Sequence, residues 1–349
     1  MDNKVSFEIG SEFSMDDRFN TEKVHQKFDQ GIRTYSGRMA LYGAVQDCKK
    51  ERSLRRAWLP SYCCESMVQP FRLAGLSVSF YGVNFDKESN KIIRSPFEPE
   101  ERDLVLSMSY FGFEDEGNDQ LLKQCRDRGV ATIEDRTHSL LINREETIAD
   151  YTAASLRKWF PMASGGWLVK KSGSMQAELC DPEKEIVEKR KAAMAQKAAY
   201  LSGKGNTQMK QAYSQMYQAC NRSFGDMLPL RSMDEWSLSL LRHLDLEAIR
   251  NQRRKNAQVL VQSLQEAKGI TLLFTTVKEQ DCPLFVPIFA SDARSIQSEL
   301  ALKNIYCPMH WPRHCEEAES NLYETEISLI CDQRYDEEDM RCIVQALQK

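Results

Sequence analysis

The sequence predicts an α/β protein with a large domain on a mostly parallel sheet and a smaller α+β lobe at the C-terminus. Three observations carry this. Short apolar runs alternate with helical stretches from Arg38 to about Gly166, the pattern of a sheet with helices on both faces. The 349 residues suffice for one large domain or two packed ones. After about residue 244 the order changes to a long helix, several strands and a closing helix. The large domain is expected over 1–243, with a helical excursion at 180–225, and the small one over 244–349.

Each element has its own signal. Arg38–Cys48 reads as a helix, Arg56–Leu59 as a strand and Cys63–Leu73 as a helix. Strands follow at Leu76–Tyr81 and Leu104–Ser107, then a helix at Asn118–Arg128 and a strand at Val130–Ile133. Further strands are expected at Tyr151–Ser155 and Trp167–Lys170. Residues 183–202 are rich in Lys, Glu, Ala and Gln, and a second helix runs to about Cys220 after the turn Gly203-Lys204-Gly205-Asn206. Both read as solvated amphipathic helices unless a partner chain covers them. The small lobe is expected to hold a helix from about Leu244 to Ala267, strands at Ile270–Phe274 and Leu284–Phe289, a helix at Ala293–Lys303 and a strand at Ile327–Cys331. Met340, Ile343, Val344 and Leu347 form one stripe of a last helix, which Asp336 is placed to cap.

Composition narrows the function classes. Lys plus Arg number 47 and Asp plus Glu 51, a net charge of −4, which gives no electrostatic reason to expect nucleic acid or an anionic membrane. No run approaches the ~18 apolar residues of a membrane helix. The stretch from Met1 to Phe13 carries Asp2, Lys4, Glu8 and Glu12 and lacks the apolar block of a secretory signal. Eleven cysteines, an odd number with no CxxC pair, read as free thiols in a reducing cytosol.

Four segments can carry chemistry. Thr34-Tyr35-Ser36-Gly37-Arg38 opens a helix, where free N–H groups and the helix dipole suit a phosphate; a plain N-cap is the bland alternative. Thr132-Ile133-Glu134-Asp135 ends a strand and puts an acid at the pocket rim, with His138 three residues on; a capping acid and a satisfied histidine would look the same. Tyr151 to Lys158 is a small-residue strand leading to a lysine, followed by Ser164-Gly165-Gly166. An apolar, aromatic setting eases proton loss from such a lysine, as a Schiff base needs. Pro60-Ser61-Tyr62 places an aromatic between strand and helix, against a flat ring or in the core.

A helix-start phosphate site, an aromatic, a strand-end Asp and a strand-end Lys 23 residues later are the working parts of a pyridoxal-phosphate (PLP) site. On these residues the chain resembles the fold-type-I PLP enzymes, and within them the DegT-type sugar-nucleotide aminotransferases. Ser36-Gly37-Arg38-Met39-Ala40-Leu41 looks like the family's phosphate-loop segment and Leu59-Pro60-Ser61-Tyr62 like its Pro-Ser turn. Ile133-Glu134-Asp135 with His138 is similar to its I-E-D segment. Ser155 to Gly166 resembles its lysine segment, and Ile327-Ser328-Leu329 through Tyr335 its strand-to-last-helix junction. Departures mark a divergent member. His138 stands where the family has Gln, Ala163-Ser164-Gly165-Gly166 replaces Gly-Glu-Gly-Gly, and Pro229-Leu230-Arg231 has no Asn in place of the Asn-x-Arg segment that reaches the phosphate across a dimer.

The resemblance implies an aspartate-aminotransferase-like fold and PLP as cofactor. It implies transfer of an amino group from an amino acid, often glutamate, to a keto sugar or related small ketone, in a cytoplasmic homodimer. Lys158 would be the Schiff-base lysine and proton carrier, and Asp135 would pair with the pyridine nitrogen. His138 would bond the phenolic oxygen or steady Asp135, and Tyr62 would stack on the ring. Gly37, Arg38 and Ser155 would hold the phosphate, with Ser36 beside them. Arg231, His310, Trp311, Arg313 and Arg334 are substrate-contact candidates. A PLP-dependent lyase or dehydratase is the first alternative, although the family's dehydrating members carry His in place of the lysine; a non-catalytic regulator is the second. Cys307, His310, His314 and Cys315 have zinc-like spacings, but Pro308 and Pro312 break any helix that would align them, so a loop is expected and no metal.

Overall fold

The computed structural model describes residues 8–144, 147–175 and 177–348; the stretch from Met1 is therefore described only from Glu8 onward. In chain order come β1 (Ile9–Gly10), β2 (Ile32–Thr34), α1 (Gly37–Glu51), β3 (Arg56–Pro60), α2 (Glu65–Leu73), β4 (Ser77–Tyr81), a hairpin of β5 (Val83–Asp86) and β6 (Lys91–Arg94), β7 (Asp103–Met108), α3 (Glu116–Asp127), β8 (Ala131–Asp135), β9 (Tyr151–Ser155) and β10 (Gly166–Lys170). Then follow α4 (Lys184–Ala199), α5 (Thr207–Ser223), α6 (Glu235–Arg242), α7 (Leu246–Leu264), β11 (Thr271–Leu272), β12 (Phe285–Phe289), α8 (Ala293–Leu302), β13 (Ile305–Tyr306), β14 (Glu326–Ile330) and α9 (Glu337–Leu347).

The main sheet has seven strands in the order β2-β10-β9-β8-β7-β3-β4. From β9 to β4 every neighbouring pair is parallel, and β10 runs antiparallel to both β9 and β2. β7 and β8 are buried at every position. Strands buried on both faces belong at the centre of a sheet covered by helices on either side. Their carboxyl ends deliver Met108 and Asp135 to one edge, where parallel sheets bind ligands. The small lobe is an antiparallel sheet, β11-β12-β14, whose core gathers side chains of α7, α8 and α9.

Several elements depart from the sequence reading for identifiable reasons. The expected strand Ile270–Phe274 is ordered as a ladder only at Thr271 and Leu272. Leu273 donates to the Pro287 carbonyl at 3.2 Å, but Pro287 has no N–H to return, so the ladder stops. β2 has three residues and β5 and β6 four each, too few for a sequence pattern to stand out, and α6 is a two-turn helix capped by Asp234. Among the described residues no helix is long and apolar enough to cross a membrane.

The helices α4 and α5 are covered, and by this chain itself. They pack on each other through Ala193, Met194, Tyr213 and Tyr217, and the segment Glu8–Phe13 lies along them. Lys197 and Lys210 each reach Glu8 at 2.8 Å. Burial alone would raise the Glu8 carboxyl, but the charge and hydrogen bond of Lys197, then those of Lys210, outweigh it and bring it to about 2. Arg334 closes the other side of the segment, bonded to Asp332 at 2.8 Å and to the carbonyls of Gly10, Ser11 and Glu12 at 3.2–3.3 Å.

Replacing Glu8 by Ala leaves Lys197 buried without its counter-ion, and loss of one partner of a buried pair costs about 3–5 kcal/mol. Thermal and urea unfolding of Glu8→Ala should show a loss of that order at pH 7. The native Glu8 value lies below the ordinary 4.5, so its stabilisation is present above about pH 4.5 and lost as pH falls through about 2. The stability gap between the wild-type protein and the variant should therefore close as the pH falls through this range; equal stability of the two at pH 7 would refute the Glu8–Lys197 pair as a stabilising contact.

Candidate active site

Lys158 owes its position to its neighbours. β9 is built of small residues, with Ala153 and Ala154 buried, and it ends in one 3-10 turn, Leu156–Lys158. Leu156 and Trp159 are both 0 % exposed. Trp159 is held by its indole N–H on the Thr137 carbonyl at 2.7 Å and by the Arg253 guanidinium 4.5 Å from its ring. With residues 156 and 159 anchored in the core, Arg157 and Lys158 face a recess of about 240 Å³. Lys158 is exposed there, with Nζ 5.9 Å from the centre of the Trp311 ring.

Ser36, Gly37, Arg38, Asp135, His138, Ser155, Lys158 and Trp311 all line this recess. Asp135 ends β8, 4 % exposed, and accepts the Thr137 backbone N–H at 2.8 Å. Burial pushes its carboxyl up, against the lowering by Thr137 and by the Lys158 charge. A buried acid of this kind gains most from a cationic N–H partner. His138 is fully buried and its imidazole is driven well below the ordinary value, by burial first and then by Lys158 and His310. Its Nδ1 accepts from the Phe111 backbone N–H at 3.3 Å, so the ring proton sits on Nε2. That Nε2 is buried without a partner.

The opposite end of the recess is cationic. Ser36 caps α1, its Oγ accepting from the Met39 N–H at 3.2 Å. A Cβ on Gly37 would come 2.7 Å from Cβ and 2.9 Å from Cα of Ser155, so only glycine lets the helix start lie against the end of β9. Gly166 is held the same way, its virtual Cβ 2.2 Å from the Ser36 carbonyl oxygen. Arg38 and Arg157 line this end, together with Asn221 and Phe224. Arg157, Asn221 and Thr137 escaped the sequence reading. Arg157 had a signal, its place next to the lysine, whereas Asn221 is brought in from α5 by tertiary packing.

The buried acid, the unpartnered imidazole N–H, the free lysine and the helix N-terminus with two arginines form a donor set that fits PLP. One end matches a ring nitrogen and phenolic oxygen, the other a phosphate.

The remaining candidates lie elsewhere. Tyr62 is 0 % exposed and does not line the recess; it packs behind Trp311, ring centres 5.0 Å apart, and Trp311 is the aromatic at the wall. His310 is buried beside Trp311, its Nδ1 2.7 Å from Ser328 Oγ, which donates to Glu326 at 2.5 Å. Arg231 binds Glu183 at 3.2 Å and the Asp181 carbonyl at 2.9 Å. Arg313 bonds carbonyls of its own loop, and Arg334 clamps the N-terminal segment. Cys307 is core and His314 lies 3.5 Å from Cys63. Among the described residues no three His, Cys, Asp or Glu gather as metal ligands. A larger recess of about 930 Å³ lies by the β5–β6 hairpin, where Arg94 pairs with Asp115 and Lys278 with Glu114.

No family model and no curated protein matches the sequence. Solved structures match the fold over nearly the whole chain. The aminotransferase PseC of Helicobacter pylori, involved in the biosynthesis of pseudoaminic acid, has a TM-score of 0.62 at 14 % identity, covering 98 % of this chain and 98 % of its own. Spr1654 from Streptococcus pneumoniae in its PLP-form gives 0.59 at 13 %, covering 97 % and 92 %. The sugar aminotransferase CalS13 from Micromonospora echinospora gives 0.60 at 12 %, covering 91 % and 86 %. The chain therefore shares its fold with these aminotransferases, at 12–14 % sequence identity.

Proposed function

We propose that this protein is a PLP-dependent aminotransferase that moves an amino group from an amino acid, with glutamate as the first donor to test, to a keto sugar or a related small ketone. The observation that supports this most strongly is the polarity of one recess, where Lys158 stands between a buried acid and a helix N-terminus. Bound there, the cofactor supplies an aldehyde that takes up amines covalently and a ring that withdraws electrons from the adjoining carbon.

The chain's own groups do the rest. Lys158 Nζ would hold the cofactor and, once displaced by the donor amine, carry the proton from the donor's α-carbon. Asp135 would stay ionised against the ring N–H, the partner its buried carboxylate lacks. His138 would donate its Nε2 proton to the ring's phenolic oxygen, a role that does not require it to titrate. Gly37, Arg38 and Ser155, with Ser36 beside them, would take the phosphate, and Trp311 would cover the ring. The donor's carbon ends as a ketone and the acceptor's carbonyl carbon gains the amine, so no outside oxidant is needed.

The reading includes a cytoplasmic homodimer. It is supported by the resemblance, by eleven cysteines that are all free, and by the exposure of Lys158 in the single chain, which a second copy would reduce.

Borohydride treatment of the wild-type protein loaded with PLP should fix one cofactor mass on the peptide containing Lys158, and Lys158→Ala should bind no fixed cofactor. Fixation at another lysine contradicts the assignment. With glutamate and no acceptor, the loaded protein should release about one equivalent of 2-oxoglutarate per site. Continuous ammonia release, or loss of water from a sugar substrate without amine transfer, would show a lyase instead.

A further inference from the structure

We infer that Arg157, together with Arg38, is the anchor of the cofactor phosphate, so that a single chain holds the anion. This rests on the cofactor reading above and adds to it a residue that the reading does not use.

Arg157 is forced toward the recess by the same turn that presents Lys158, because Leu156 and Trp159 on either side are fixed in the core. Its guanidinium lies 3.7 Å over the ring of Phe224, another lining residue, which fixes its plane. Its Nε is buried with no hydrogen-bond partner. Three other arginines with little exposed side chain each hold an acid: Arg94 with Asp115 at 2.6 Å, Arg190 with Glu12 at 2.7 Å, Arg334 with Asp332 at 2.8 Å. Glu12, the acid whose charge reaches Arg157, is already held by Arg190 and by Asn221 at 2.8 Å. Among the described residues no carboxylate stands within ion-pair distance of Arg157, which leaves a fixed cation without its anion. Burial, then the Arg190 charge, brings its pKa down to about 9, as expected of a cation short of a counter-ion.

Charge arithmetic agrees. A phosphate monoester carries about −1.5 to −2 at neutral pH. The N-terminus of α1 offers about half a positive charge, and two guanidiniums supply the rest. The unpartnered, fully buried His138 Nε2 at the other end fixes which way round a ligand lies. Arg231 cannot serve the recess of its own chain, since Glu183 and the Asp181 carbonyl hold it. Arg157 therefore takes the place left by the missing Asn-x-Arg segment.

The test compares PLP with pyridoxal, which has the aldehyde but no phosphate, by absorbance titration of the cofactor-free full-length protein. Arg157→Gln should raise the Kd for PLP about ten- to a hundred-fold, the range for a lost charge-assisted contact, and leave the Kd for pyridoxal within two-fold. Arg38→Gln should show the same selective loss, which keeps the test valid if one variant folds poorly. Inorganic phosphate should enhance pyridoxal binding to the wild type and not to Arg157→Gln. Arg157→Gln that binds PLP like the wild type, or that loses PLP and pyridoxal equally, overturns the anchor alone. Wild-type protein that takes up neither compound overturns the cofactor reading and the anchor together.

Discussion

The site depends on one close approach. The start of α1 lies against the end of β9, with Gly37 so near Ser155 that a methyl group between them has no room. Gly166 brings β10 equally close to the Ser36 carbonyl, and Gly165 donates its N–H to the Tyr35 carbonyl at 2.9 Å. The start of α1 is thereby locked at one edge of the sheet to two segments more than a hundred residues later in the sequence. The approach places the free N–H groups of a 15-residue helix beside the turn that presents Arg157 and Lys158. Without it, a helix N-terminus and a strand-end lysine are ordinary features. With it, they face each other across a recess, and an acid at the end of the neighbouring strand β8 supplies the opposite charge.

The polar groups at this edge are kept under-satisfied, which is costly in a folded protein. Asp135 is buried with a raised carboxyl, His138 has an unpaired ring N–H, and Arg157 lacks an anion. Each would be relieved by the matching part of one ligand. Groups that violate the rule of buried polar satisfaction together, in one recess, are where function is expected. In the larger recess by the β5–β6 hairpin, by contrast, Arg94 already holds its acid, Asp115.

Much of this was legible in the sequence. Tyr151–Ser155 reads as a strand from its small and β-prone residues, and it is one; Asp336 reads as the cap of the last helix, and it caps α9. Asp135, Lys158, Gly37 and Arg38 were visible because each ends or begins an element whose hydrophobic pattern is strong. The pattern around Tyr62 cannot distinguish a core ring from one facing a ligand; the fold puts Tyr62 in the core and Trp311, from a loop some 250 residues later, at the wall. Arg334 has the look of a substrate contact but holds the N-terminal segment, since only the fold reveals that Gly10–Glu12 passes beside it. The same segment explains why α4 and α5 need no partner chain to bury Met194 and Tyr217. Long-range docking of a short charged stretch leaves no local periodicity to read.

A crystal structure of the protein with PLP tests the central claim most directly. The account predicts continuous density from Lys158 Nζ to the cofactor, the ring nitrogen within hydrogen-bond distance of the Asp135 carboxylate, and the phosphate against the N-terminus of α1. Density for the ring outside this recess, or a Lys158 amine free in solvent with the ring turned away from Asp135, would contradict it.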